Sequence, residues 1–173
     1  MKTLSEKEAL DRLSKLKKSF QQMIKARFEP KAKNCLTCET KGACCLDAHF
    51  VNVHITRLEA AAIGEVLSEL PEEKQIEIRE RIEKTVEKYD LKSSGDTFAQ
   101  TFACPLFEKD AGCLVHEKGK PAPCIQHACY ENREDLPPDH LQTETEKRIE
   151  RLNQRTYGNA WNWLPLPVWL TKS

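Results

Sequence analysis

The sequence predicts a small, mainly α-helical domain of about four helices, with irregular cysteine loops pinned by metal. Three observations carry that expectation. Four stretches read as helices, strand-like alternation is confined to one short run, and eight cysteines fall in segments punctuated by Gly and Pro. At 173 residues the chain is long enough for one domain with a substantial core and short for two.

From residue 4 to about 28, Leu10, Leu13, Leu16, Phe20, Met23 and Ile24 recur mostly three and four apart, one apolar stripe that Pro30 ends. Residues 57–70 follow Thr56, which with Glu59 forms a capping-box signature, and Leu58, Ala62, Ile63, Val66, Leu67 and Leu70 supply a buried face. Pro71, Glu72 and Glu73 open a third helix to about Tyr89, with Ile78, Ile82 and Val86 stacked at i+4. A fourth runs from about Asp139 to Tyr157 and stops at Gly158; its apolar positions are sparse, which places it on the surface of the domain. Residues 49–55 alternate roughly between apolar and polar and read as one short strand. The stretches 33–47 and 103–131 read as loops with short turns. The C-terminal segment holds Trp161, Trp163, Trp169, Pro165 and Pro167, and reads as an extended apolar strap over the helices. A docking segment for a protein partner is the sharper alternative there. The chain accordingly divides into an amphipathic helix at 1–30, a cysteine-cluster metal-binding segment at 31–131, and a helix with a Trp/Pro-rich tail at 132–173 packed on the same domain.

Charged residues make up 31% of the chain and the mean hydropathy is −0.62, the profile of a water-soluble polypeptide. The hydrophobic share, 39%, falls below the roughly 45–50% usual for globular chains, so a staple would help it hold together. Net charge is zero, which gives no argument for nucleic acid. It is unevenly spread: residues 1–34 carry ten Lys/Arg against four Asp/Glu, residues 56–92 seven against ten, a mild dipole whose plain reading is a solvated basic helix. No secretory signal is visible, and no apolar run approaches the roughly 20 residues of a membrane span. The expectation is a cytoplasmic protein off the membrane, with reduced thiols.

That compartment decides how the cysteines read. Cys35, Cys38, Cys44 and Cys45 form one arm; Cys104, Cys113, Cys124 and Cys129 form another, 58 residues further on. Disulfides suit the even count but not a reducing compartment. A thioredoxin-type pair at Cys35 and Cys38 wants a buried strand before it, and Lys31-Ala32-Lys33-Asn34 is no such strand. Unrelated buried thiols do not account for clustering in turns. Metal binding does: a C-x2-C turn aims two sulfurs at one site, and soft thiolates select zinc or iron–sulfur clusters. All eight cysteines are therefore candidate ligands. Adjacent Cys44 and Cys45 point apart in most backbones, so either they serve two nearby metals or one is not a ligand. His116 has ligand-like spacing from Cys113 and His127 lies between Cys124 and Cys129, although a surface or satisfied histidine is the commoner outcome. Lys41, Lys109, Lys118 and Lys120 stand ready to offset thiolate charge.

In order, Cys35-x2-Cys38-x5-Cys44-Cys45, Cys104-Pro105-Leu106, Gly112-Cys113-Leu114-Val115-His116 and Lys120-Pro121-x2-Cys124 resemble the YkgJ-like cysteine-cluster family, zinc- or iron-chelating domains of C-x2-C-x4-C-C type. The likeness spans about residues 35–129. It implies a metal-binding domain, in a family whose members are loosely called iron–sulfur oxidoreductases. The sequence departs from the family pattern in its five residues between Cys38 and Cys44, in Lys120 for Arg, in Ile125 for Arg, in His116 for Tyr, and in Cys129 beyond the motif. The expected function is thus metal binding with a structural, accessory or electron-transfer role; the alternative is a metal-dependent redox or radical enzyme acting on a protein side chain. No phosphate loop, nucleophile elbow or paired-carboxylate site is recognisable.

Overall fold

The first helix, α1 (Glu6–Arg27), begins where Ser5 and Glu8 close a capping box, each side chain bonded to the other's backbone N–H at 3.3 and 3.1 Å. In the computed structural model, which describes residues 3–34, 38–48, 51–158 and 163–172, the chain is mainly helical, 58% helix against 6% strand. Its contacts divide it into two units, residues 1–41 with 120–160 and residues 42–119 with 161–173. The cysteine-bearing stretch 31–131, expected as one segment, is therefore shared between both. The charge asymmetry follows the division: 17 Lys/Arg against 12 Asp/Glu in the first unit, 10 against 15 in the second.

In the first unit, α1 packs on α5 (Ala122–Gln126) and α6 (Asp139–Tyr157). Ala9, Leu13, Lys17, Phe20 and Ile24 are the buried face of α1; Leu13, Phe20 and Ile24 are where the periodicity predicts them, while Leu10, Leu16 and Met23 flank that face half-buried. The ends of α1 and α6 are tied by Thr3 and Leu4 N–H groups donating to the Arg155 carbonyl and by Tyr157 Oη donating to Glu6 at 2.7 Å. The fourth predicted helix thus has its expected span but is no surface helix. It buries Thr145, Ile149, Asn153 and Thr156. Thr145 and Thr156 return their hydroxyls to the Leu141 and Leu152 carbonyls at 2.8 and 2.7 Å, so only their methyl groups remain to be packed. Reading threonine as polar hides this face.

In the second unit, α3 (Arg57–Ser68) starts at the expected capping box, with Glu59 N–H on Thr56 Oγ1 and Thr56 N–H on Glu59 Oε2. Helix α4 (Glu72–Lys88) starts after Pro71. The strand expected at 49–55 is reduced to β1 (His54–Ile55); residues 49–50 lie outside the described residues. Val51 and Val53 do stay extended enough to accept from Phe102 and Leu166, both at 2.9 Å, but different segments supply the donors and no regular ladder forms. The partner of β1 is β4 (Leu164–Pro165), antiparallel, with His54 opposite Pro165 and Ile55 opposite Leu164.

The tail is not an extended strap. After β4 it turns into a short helix, α7 (Leu166–Leu170), begun by a proline at its second position where a missing N–H costs nothing. Leu164, Leu166, Val168 and Leu170 join Ile55, Ile63, Ile78, Ile82, Phe102 and Leu106 in the core. Leu164, Leu166, Val168 and Leu170 of the described tail are buried, while Trp163 and Trp169 are half-buried; Trp161 lies outside the described residues. Among the described residues no helix is long and apolar enough to cross a membrane.

Candidate metal centre

Gly42 is the hinge of the first cysteine arm. Its φ of +82° suits a residue without Cβ, and the Phe107 ring lies where a Cβ would be. From it springs α2 (Ala43–Leu46), a single turn bearing Cys44 and Cys45. The backbone then hands over directly to the second arm: the Cys104 N–H donates to the Cys45 carbonyl at 2.7 Å. Beyond Cys104 the chain turns into a hairpin the sequence reading took for loop, β2 (Phe107–Glu108) with β3 (Gly112–Cys113), Phe107 opposite Cys113. Asp110 and Gly112, both at positive φ, make the reversal. Two-residue strands carry no periodicity, which is why alternation could not reveal them.

Of the second unit's four thiols, Cys45 lies within electrostatic reach of Cys44, Cys104 and Cys113, and Cys104 of Cys113. Burial pushes the Cys45 thiol up to about 12, and the neighbouring Cys44, Cys104 and Cys113 add to it. Burial likewise pushes Cys104 up, to about 11, with Cys113 adding to it. Three groups act against that shift, the Leu106 and Phe107 backbone N–H groups and the Arg81 guanidinium, and the Phe107 N–H donates to the Cys104 carbonyl at 3.3 Å, closing the turn.

Arg81 is the residue sequence reasoning missed. It sits on α4, far from either arm in sequence; the one available signal was Lys74, Glu77 and Arg81 sharing a helix face. Its Nη2 donates to Glu108 Oε1 at 2.6 Å and its Nη1 to the Phe107 carbonyl at 3.3 Å. Lys74 meets the same Glu108 oxygen at 2.6 Å. Both cations hold the Glu108 carboxyl below the usual carboxylate range, Arg81 first. Of the lysines expected to offset thiolate charge, Lys118 is engaged by Glu69 at 3.4 Å.

The remaining candidates fall in the first unit. Cys38 and Cys129 are exposed and Cys124 is half-buried on α5; Cys35 lies outside the described residues. The chain leading to Cys35 runs beside Cys129, since Lys33 N–H donates to the Cys129 carbonyl at 2.7 Å and Ala32 bridges to Tyr130. His116 and His127 are both exposed. The seven described cysteines are thiols rather than disulfides. Among the described residues no three His, Cys, Asp or Glu side chains are so placed that they could hold a metal ion, Cys44, Cys45, Cys104 and Cys113 included. The chain matches no family model, no curated protein and no solved structure, so its likeness to the chelating family rests on the motif residues alone.

Proposed function

We propose that the protein binds a thiophilic metal, a zinc ion or an iron–sulfur cluster, and uses it in a structural, accessory or electron-transfer role. The observation that supports this reading is the joining of the two cysteine arms within one unit, where the Cys104 N–H donates to the Cys45 carbonyl at 2.7 Å and Cys113 pairs with Phe107 across the hairpin. Partly buried thiols such as Cys45, Cys104 and Cys113 are costly as thiolates unless a cation shares their charge, and four thiolates are the donor set of a tetrahedral zinc or iron site.

The chain's own residues divide the work. Cys104 is the anchor, because its backbone is fixed on both sides, its N–H on the Cys45 carbonyl and its carbonyl on the Phe107 N–H. Cys45 is held next to it through the 2.7 Å backbone hydrogen bond, Cys113 is placed by the hairpin register, and exposed Cys44 leaves an entry path from solvent. A bound metal would cross-link two Gly- and Pro-containing segments or, as a cluster, accept an electron. In the other unit Cys38, Cys124 and Cys129, with Cys35, are the remaining thiolate donors for a second ion. The test is the metal content of protein purified anaerobically. Wild type retains metal, while Cys45→Ser and Cys104→Ser lose most of the metal held by the second unit. Wild-type protein that is folded, fully reduced and metal-free would overturn the reading.

A further inference from the structure

His54 is a buried titratable side chain that the thiol site does not use. It is 5% exposed, stands in β1 opposite Pro165, and stacks on the Phe98 ring, with centroids 4.4 Å apart and planes 18° from parallel. Both of its ring nitrogens meet backbone carbonyl oxygens: Nδ1 lies 2.7 Å from that of Asn52, and Nε2 lies 2.9 Å from that of Thr97. A carbonyl oxygen only accepts, and a neutral imidazole has a single N–H. Either neutral tautomer therefore turns a lone pair toward one of the two oxygens at hydrogen-bond distance. The imidazolium, with two N–H groups, donates to both.

We propose that His54 is a pH-sensitive clamp: as an imidazolium it joins β1 to residues 97–99, and on losing its proton it releases that turn. The clamp is independent of the cysteines. Phe98 offers the face of its ring, which attracts a cation stacked on it. The other side-chain bond from this strand to the turn, from Asn52 Nδ2 to the Phe98 carbonyl, is 3.4 Å long, so His54 supplies the closer attachment. Phe98 itself is 53% exposed, and burial of its ring does little to hold the turn in place. Among the described residues, β4, α7 and the 97–99 turn, which pack on β1 or bond to His54, carry no titratable side chain. Asp96 before the turn, Arg57 beyond β1 and Lys172 beyond α7 are exposed, and buried Glu59 on α3 accepts from the Thr56 N–H at 3.1 Å. The preference for the charged ring thus comes from two carbonyl dipoles and an aromatic face. Because the fold favours the protonated form, the clamp stabilises at low pH and its contribution is lost as pH rises.

The experiment uses the full chain, reduced, with isotope-labelled histidine rings followed in long-range proton–nitrogen NMR spectra assigned through the backbone. At pH 7.5, above the ordinary imidazole value of about 6.5, both His54 ring nitrogens are expected to carry protons. A neutral tautomer at His54 at that pH, in a folded chain, overturns the proposal. Urea denaturation beside His54→Phe, which keeps an aromatic ring on Phe98, is the second readout. From pH 6 to pH 9 the folding equilibrium constant of wild type relative to that variant should fall about 5- to 100-fold, the effect of leaving one buried acceptor without its donor. A ratio that is flat or rises with pH overturns the proposal as well. Where His54→Phe does not fold, the wild-type ring spectrum decides alone.

Discussion

Replacing Gly42 by alanine strikes the link between backbone conformation and the cysteine site, and Gly95 supplies its control. Both residues have positive φ, +82° and +78°, in the same unit. A Cβ at Gly95 meets nothing within 4 Å, so Gly95→Ala carries only the left-handed backbone cost, about 1–2 kcal/mol. A Cβ at Gly42 enters the Phe107 ring, with even the third-nearest ring carbon at 2.8 Å. The ring must move, and overpacking of this kind adds about 1–3 kcal/mol to the backbone cost. The total for Gly42→Ala is about 2–5 kcal/mol. Against a whole-protein stability of roughly 5–15 kcal/mol, that leaves a folded but weakened protein at the lower values. Urea denaturation of both variants beside wild type gives the two costs under one set of conditions. Moving Phe107 also shifts the residue whose amide donates to the Cys104 carbonyl and whose neighbour across the hairpin is Cys113, so Gly42→Ala should lower metal retention while Gly95→Ala does not. Equal destabilisation by the two substitutions would refute the claim that Phe107 covers Gly42. Equal metal retention would refute its connection to the thiols.

Leu166→Ala removes a core side chain from the tail and should destabilise by about 2–5 kcal/mol in urea, whereas a tail that merely docked to a partner would show no such loss. Glu108→Gln should lower stability at neutral pH by less than about 1 kcal/mol, because the carboxylate remains partly solvated. The Glu108 carboxyl is held below its ordinary 4.5 by Arg81 and Lys74, so its contribution is present above about pH 4.5 and fades as pH falls through its lowered value; wild type and variant should converge there. Thr156→Val should cost little, since the hydroxyl only returns to its own helix, while Asn153→Leu should destabilise the first unit clearly in thermal melts; the reverse ranking would contradict the described packing of α6.

Much of the helical framework was legible because it is written locally. The Thr56–Glu59 box, Pro71 and the stripe from Leu13 to Ile24 each act within a turn or two, and they place α1, α3 and α4 within about two residues of their expected ends. What escaped was written at long range. The pairing of His54 with Pro165 joins segments over a hundred residues apart, and only that pairing shows why the tail turns inward. The buried threonines of α6 look polar until their hydroxyls are seen to bond backward. At the candidate site the eight cysteines were evident, but not how they divide. The arms at 35–45 and 104–129 do not act as blocks: each contributes a pair to the second unit and leaves the rest in the first. Arg81 was invisible because its importance lies in a carbonyl 26 residues away.

The central claim is that the thiols hold metal and that this metal helps to hold the fold. Binding energy at such a site is folding energy. The most direct measurement is elemental analysis with an absorption spectrum on anaerobically purified protein, followed by thermal melting before and after a strong chelator. The expected result is zinc or iron in stoichiometric amount, a colourless protein or a brown one accordingly, and a melting temperature that falls on chelation and recovers when the same metal is restored. A reduced protein that carries no metal, and melts at the same temperature with chelator or without it, would contradict the account.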